Sequence, residues 1–144
     1  MPKLTPITLL NKSLFKKKII EIYDPIHLQR YWYVKANSST EFNDILTNII
    51  PKYKDLVIIE EPEDGDNDGE CVAIVIDSHQ VILFWANLTS INCIAHECLH
   101  AVLQCAKSRD IDFKEGDDSL CYMFGFLIEE IFTKLKLTIK KETA

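Results

Sequence analysis

Hydrophobic and polar residues alternate along this chain with two different periods, and the changes between them mark the predicted elements. Short segments rich in β-branched and aromatic residues predict β-strands at 18–23, 30–35, 56–60, 71–77 and 80–86. The segment DPIHLQ between the first two strands predicts a turn. The last two segments, CVAIVID and QVILFWA, are separated by Ser78-His79 and are almost continuously hydrophobic. This pattern predicts a β-hairpin that is covered on at least one face.

Apolar residues with a helical period predict three helices. The first follows the capping sequence SSTE, continues to Ile50 and is closed by Pro51. Caps within Asn87–Ser90 begin a second helix over residues 89–107, and the polar loop SRDIDFKEGDD leads into a third over 117–137. The order β-β-α-β-β-β-α-α predicts an α+β fold in which a small antiparallel sheet packs against the last two helices.

Length and composition predict one folded domain over residues 1–144, whose C-terminal tail at 138–144, TIKKETA, is expected to fray. Hydrophobic residues make up 47% of the chain and charged residues 26%, which is typical of a globular protein. No segment approaches the roughly 18 apolar residues of a membrane helix, and the N-terminal sequence lacks a secretory signal, so a cytoplasmic protein is expected. The net charge of -6 argues against binding to nucleic acid.

Two smaller features have plain structural interpretations. Lys16, Lys17 and Lys18 form a basic cluster, which we interpret as a solvated entry to the first strand. The five cysteines are odd in number and include no Cys-x-x-Cys pair, so reduced thiols that pack as small hydrophobic side chains are expected. These are Cys71, Cys93, Cys98, Cys105 and Cys121.

The residues with the most specific chemistry lie in the sequence AHECLHAV, at 95–102. Residues four apart on a helix share one face, so His96 and His100 point towards one site and Glu97 flanks it. Because Zn²⁺ accepts two neutral imidazoles and a nearby carboxylate can take a proton from water, this pattern predicts a zinc site with Glu97 as general base. Apolar neighbours, including Ile91 and Leu99, would form a dry wall around it. The alternative is two satisfied core histidines beside a surface glutamate.

A catalytic zinc site with three protein ligands needs one more residue. The start of the last predicted helix is a suitable place, and there we favour Asp118, with Asp117 as a helix cap or an alternative ligand. Asp118, Tyr122, Gly125 and Glu129 share one helical face. Gly125 would allow two helices to approach closely, Tyr122 would point towards the metal, and Glu129 would either orient a histidine or be solvated. The other acidic candidates are Asp112, Glu115 and Glu130.

The sequence AHECLHAV, followed by GDDSLCYMFGFL at 116–127, resembles the zincin-like metallopeptidase family of bacteriophage proteins. Members of that family show His-Glu-x-x-His on one helix and then an acidic residue four places before a tyrosine, in a pattern like D-E-x-x-x-Y-L-x-G. Matching Tyr122 and Gly125 to this pattern places Asp118 where the family has glutamate, which is one methylene longer. The segment DPIHLQRYWYVKA also resembles the family's first two strands. The resemblance is specific only over residues 94–127, and it implies a minimal zincin fold and a phage or prophage origin.

The function implied by this resemblance is zinc-dependent hydrolysis of a peptide or protein substrate, in the host cytoplasm. Zn²⁺ would be held by His96, His100 and Asp118. Glu97 would accept a proton from the attacking water, and Tyr122 would stabilise the developing oxyanion. An exposed edge of the predicted hairpin would pair with an extended peptide by strand addition.

A second class of function stays open, namely a catalytically silent zincin-like scaffold that binds a host or phage protein. The short chain leaves little room for a substrate cleft, and aspartate is the shorter carboxylate for a third ligand. A cysteine enzyme built on Cys98 and His96 is disfavoured, because adjacent residues on a helix do not face each other.

A competing ion site is suggested by DGDNDG at 64–69, which matches the first half of a calcium loop. The second half does not match, since position twelve is Val75 where a glutamate is required, and the flanking segments predict strands. We therefore interpret this segment as a hydrated loop beside the hairpin, with weak binding of a divalent ion as the alternative.

Overall fold

The computed structural model describes residues 11–50, 58–60, 68–76, 78–111 and 117–138. Its helices are α1 (Lys12–Lys18), α2 (Ser39–Ile49), α3 (Ile91–Ser108) and α4 (Asp117–Lys134). Its strands are β1 (Ile19–Asp24), β2 (Gln29–Val34), β3 (Ile58–Glu60), β4 (Gly69–Ile76) and β5 (His79–Ala86). The α+β class is therefore confirmed, and α1 is an element that the sequence pattern did not predict. The predicted fraying of the tail falls outside the described residues, apart from Thr138.

The strands form a five-stranded sheet in the order β1-β2-β5-β4-β3. Three neighbouring pairs are antiparallel, but β2 and β5 are parallel, with Arg30 opposite Val81 and Tyr33 opposite Phe84. The prediction of an antiparallel sheet is wrong for this pair. A parallel pair needs a long crossover, and here α2, β3 and β4 all lie between the two strands in sequence. The hydrophobic pattern predicts where each strand lies in the chain, but it does not predict which strands pair in the sheet.

A pair of helices covers each face of the sheet. On one face Trp32 and Trp85 pack with Phe42 of α2 and with half-buried side chains of α1. On the other face Tyr33 and Phe84 pack with apolar residues of α3 and α4. Helix α3 lies against β4 and β5, and α4 lies against β1. Because β5 is covered on both faces, it is buried from its third residue onward, which accounts for the continuous hydrophobicity of QVILFWA.

The start of α3 is set by two capping side chains. Asn87 Oδ1 accepts hydrogen bonds from the backbone N–H of Thr89 (3.0 Å) and from its hydroxyl (2.6 Å), which holds these residues in a turn. Ser90 Oγ then accepts from the N–H of Cys93 at 3.2 Å as the helix N-cap. The helix therefore begins at Ile91, two residues later than predicted, and the predicted capping segment is confirmed.

The basic cluster and one cysteine differ from expectation. Lys16 and Lys17 are exposed as predicted, but they lie in the last turn of α1, a helix capped by Asn11. The cysteines within the described residues are free, and Cys98 and Cys105 are buried. Cys121 is exposed on α4, so the prediction that it packs in the core is wrong. Cys121 is exposed because α4 packs in the core through its opposite face, which carries Met123, Leu127 and Ile131.

Candidate metal centre

The two histidines of the His-Glu-x-x-His sequence meet on the outer surface of α3. Their Nε2 atoms lie 3.1 Å apart, and the ring centroids are separated by 4.7 Å with the planes at 70°. Two nitrogens bound to one tetrahedral Zn²⁺ at about 2.0–2.1 Å would be about 3.3 Å apart. The observed separation therefore fits two ligands of one zinc ion. In the absence of metal, the same distance suits an Nε2–H···Nε2 hydrogen bond between the two rings.

Among the residues that the structure describes, apolar side chains do not enclose the histidine pair, since His96 is exposed and His100 is half-buried. The side chain of His96 is 60% exposed. His96 and Cys98 are separated by about 200° around the helix, so the burial of Cys98 against the sheet turns His96 towards solvent. Ile91 and Leu99, which we predicted to form part of a dry wall, are themselves exposed. The predicted enclosure is wrong, because only one face of α3 packs against the sheet.

Glu97 sits beside the histidines but is turned towards the sheet. It is only 5% exposed, and its Oε1 lies 3.8 Å from Nε2 of His96. Its side chain packs on the backbone of Gly69, at the start of β4. Sequence reasoning did not assign Gly69 to this site, since we interpreted DGDNDG as a hydrated loop, with weak binding of a divalent ion as the alternative. The structure thus brings together His96, Glu97 and His100, and it adds Gly69 to them.

Arg109 ties the end of α3 to the turn between β1 and β2. Its guanidinium donates hydrogen bonds to the carbonyls of His27 and Leu28 and, at 2.8 Å, to Oε1 of the buried Gln29. Gln29 in turn donates to the carbonyl of Gln80 at the start of β5, which connects this clamp to the centre of the sheet. In the sequence, Arg109 was one residue of a polar loop and carried no sign of this role.

The first turns of α4 lie at the same end of the molecule as this clamp. The ring of Tyr122 is 5.9 Å from the ring of His27, whose carbonyl Arg109 binds. Arg109 is nine residues beyond His100, which corresponds to about 13 Å along a helix. Asp118 is exposed one turn before Tyr122. Tyr122 therefore lies beside the turn between β1 and β2, and Asp118 precedes it by one turn of α4.

Within the described part of the chain, no group of three His, Cys, Asp or Glu side chains is placed to hold a metal ion. Glu129 is exposed, and Glu130 pairs with Lys134 at 3.5 Å. Asp112 and Glu115 lie outside the described residues, so their candidacy stays a prediction, as does the ligand role of Asp118. The described residues thus bring together two imidazole nitrogens and a carboxylate beside them.

Gly125 does not mediate a close approach of helices. It is exposed, and a Cβ placed on it would meet no atom within 4 Å. The predicted role for this glycine is wrong because the residues of α4 that turn inwards are on the opposite face, at Met123, Leu127 and Ile131.

The environment of Cys98 disfavours its use as a nucleophile at this site. Cys98 is fully buried, and burial together with the negative charge of Glu97 raises the pKa of Cys98 to about 12. Its thiol therefore stays protonated near neutral pH and does not act as a nucleophile.

The calcium-loop prediction falls almost entirely outside the described residues, of which only Asp68 and Gly69 belong to DGDNDG. Asp68 is bound to the turn before α3, because its carbonyl accepts from the N–H of Asn87 (2.8 Å) and its Oδ1 accepts from Asn87 Nδ2 (3.2 Å). None of the helices in the described ranges is long and apolar enough to span a membrane.

Comparisons with known proteins identify no related family, protein or structure. No family model matches the chain, and no curated protein or solved structure gives a significant match.

Proposed function

We propose that this protein is a zinc-dependent hydrolase, a small metallopeptidase of zincin-like type, in which His96 and His100 bind the metal and Glu97 is the general base. One observation carries the proposal. Two imidazole nitrogens 3.1 Å apart on one helix face stand beside a carboxylate whose Oε1 is 3.8 Å from one of them. This arrangement matches the ligand chemistry of zinc and the need of hydrolysis for a nearby proton acceptor.

The chemistry of such a site divides between the metal and the chain. A bound Zn²⁺ supplies Lewis acidity, which makes water a competent nucleophile near neutral pH. Glu97 accepts a proton from that water and returns it to the leaving amine. Glu97 is packed between α3 and β4, which fixes the position of its carboxylate. The side chain therefore does not need to rearrange when the proton is transferred.

The substrate backbone is proposed to lie along β4. Strand addition on β5 is ruled out because β5 already pairs with β2 and β4. Within the described residues, β3 pairs with β4 only around Ala73 and Ile74, while Gly69 at the start of β4 touches Glu97. An extended peptide beside the first half of β4 would pass close to the general base.

A substitution of Asp118 tests whether this residue is the third ligand of the metal. The resemblance assigns it to the metal, whereas Asp118 belongs to no group of three described His, Cys, Asp or Glu side chains placed to hold a metal ion. We expect Asp118→Asn to change the Kd for Zn²⁺ by no more than about twofold, because Asp118 is exposed and an exposed charge that does not bind the metal adds little across screened solvent. Competition with a chromophoric chelator measures this Kd. A loss of about 100-fold would instead assign Asp118 as a ligand and require α4 to move on metal binding.

A second candidate function is a non-catalytic scaffold that binds a host or phage protein. It is favoured by the turn between β1 and β2, where Ile26 and Leu28 are 63% and 69% exposed. Leu28 is held at a φ of 53° while Arg109 binds its carbonyl. A bulky residue in this left-handed region carries strain, which is typical of recognition and functional sites.

Metal analysis followed by an activity assay separates these two functions. Protein purified without added zinc is expected to contain one zinc per chain and to cleave a mixed peptide library in a reaction that a chelator stops. Stoichiometric zinc without cleavage would support the scaffold. Protein that binds no zinc, even when zinc is supplied, would contradict the proposed metal site.

A further inference from the structure

We propose that Gly69 is a positioning residue for Glu97, and that the absence of a side chain at residue 69 keeps this carboxylate beside His96. The catalytic consequence of this inference rests on the proposed hydrolase function. The placement of Glu97 does not, since it follows from packing alone and can be measured without metal or substrate.

The contact between the two residues leaves no room for a methyl group. A Cβ on Gly69 would overlap Cγ of Glu97 and would lie 2.8 Å from its Cδ. The same Cβ would lie 2.8 Å from the carbonyl oxygen of Trp85. Non-bonded carbon atoms approach to about 3.5–4.0 Å at their optimum, so any side chain larger than hydrogen displaces what surrounds it.

Gly69 cannot retreat from Glu97, because the backbone around it is held on two sides. It pairs with Ala86 at the end of β5. The residue before it, Asp68, is bound through its carbonyl and its carboxylate to Asn87, which also forms the turn that starts α3. The strand that carries Gly69 and the helix that carries Glu97 are thus anchored at a shared point.

The side chain of Glu97 is therefore the group that moves most readily when a Cβ is added, while the contact with the Trp85 carbonyl and the φ of 158° at Gly69 also strain the backbone. Its Cγ and Cδ belong to a flexible side chain, whereas the Trp85 carbonyl belongs to a central strand. Displacement would take the carboxylate out of its buried position between α3 and β4. The histidines project from the outer surface of α3, so their ability to bind zinc would be unaffected.

The test uses the full chain with Gly69→Ala and, as a matched glycine replacement, Gly125→Ala, whose Cβ meets no atom within 4 Å. The first measurement is the ¹³C chemical shift of the Glu97 side-chain carboxyl in metal-free protein, assigned by its loss in Glu97→Gln. We expect this signal to move in Gly69→Ala and to stay unchanged in Gly125→Ala. The second measurement is peptide hydrolysis, where Gly69→Ala is expected to lower kcat at least tenfold with unchanged KM and unchanged zinc content.

The outcomes separate the inference from the proposed function. An unmoved Glu97 signal in Gly69→Ala overturns the inference, whether or not the wild-type protein hydrolyses peptides. A moved signal in a wild-type protein that shows no hydrolysis upholds the placement and contradicts the proposed function. Should Gly69→Ala fail to fold, Gly69→Ala combined with Glu97→Ala is expected to recover part of the cooperative thermal unfolding, since the overlap with Cγ and Cδ is gone and only the Trp85 contact and the backbone strain at residue 69 remain. Failure of that double variant to recover also counts against the inference.

Discussion

Replacing Glu97 by glutamine is expected to lower kcat for peptide hydrolysis by about 10²- to 10⁴-fold while leaving zinc content and Kd for zinc nearly unchanged. General bases contribute about this much to catalysis, and glutamine keeps the size of the side chain but does not accept a proton at neutral pH. The packing of the side chain on Gly69 involves Cγ and Cδ, which glutamine retains. Steady-state kinetics and metal analysis on the same preparation measure both quantities.

The matched control removes one carboxylate charge at a distance from the site. Asp44 is exposed on α2, which covers the opposite face of the sheet, so Asp44→Asn is expected to behave like the wild-type protein. Full activity in Glu97→Gln would show that the proposed general base has no part in the reaction.

Replacing His100 by alanine is expected to weaken zinc binding by at least about 100-fold and to abolish hydrolysis. Removing a residue that hydrogen-bonds to a metal ligand already lowers metal affinity by about 10- to 100-fold. Removing the ligand itself should lower it further. The described residues place two nitrogens at this site, so removing one of them leaves a single imidazole. Isothermal titration with zinc measures the affinity, and thermal unfolding shows whether the fold survives.

His79→Ala provides the matched control for this substitution. His79 is an exposed histidine at the start of β5, and its removal is expected to change neither the zinc Kd nor hydrolysis. Zinc affinity in His100→Ala equal to that of the control would mean that the 3.1 Å contact is a hydrogen bond between two surface imidazoles and nothing more.

These two substitutions separate the two proposed functions. A hydrolase loses activity with either change but keeps its metal only in Glu97→Gln. A metal-binding scaffold loses its metal in His100→Ala and has no hydrolysis to lose. The distinction matters because His96 is exposed and, among the described residues, no third His, Cys, Asp or Glu side chain is placed with the histidine pair to hold a metal ion.

The convergence of His96 and His100 was predictable from the sequence because both residues belong to one helix. Their relative position depends only on helical geometry, which a four-residue spacing determines wherever the helix lies. The capping segment before α3 was predictable for the same reason, since Ser90 binds the N–H of a residue three positions away.

Sequence reasoning failed where a residue's environment depends on another element. Gly69 and Glu97 are distant in the chain and meet only because β4 pairs with β5 beneath α3. The ring contact between Tyr122 and His27 likewise depends on how α4 packs against the turn between β1 and β2, which the spacing of Asp118 and Tyr122 in the sequence does not reveal.

Local spacing in the chain was enough to establish the α+β class, the helix with two converging imidazoles and a carboxylate beside them. Tertiary packing alone decided the parallel pairing of β2 with β5, the exposure of His96, the inward turn of Glu97 onto Gly69 and the outward turn of Gly125. The physical reason is that helical and strand periods act over a few residues, whereas burial depends on which surfaces meet, and those surfaces come from distant parts of the chain.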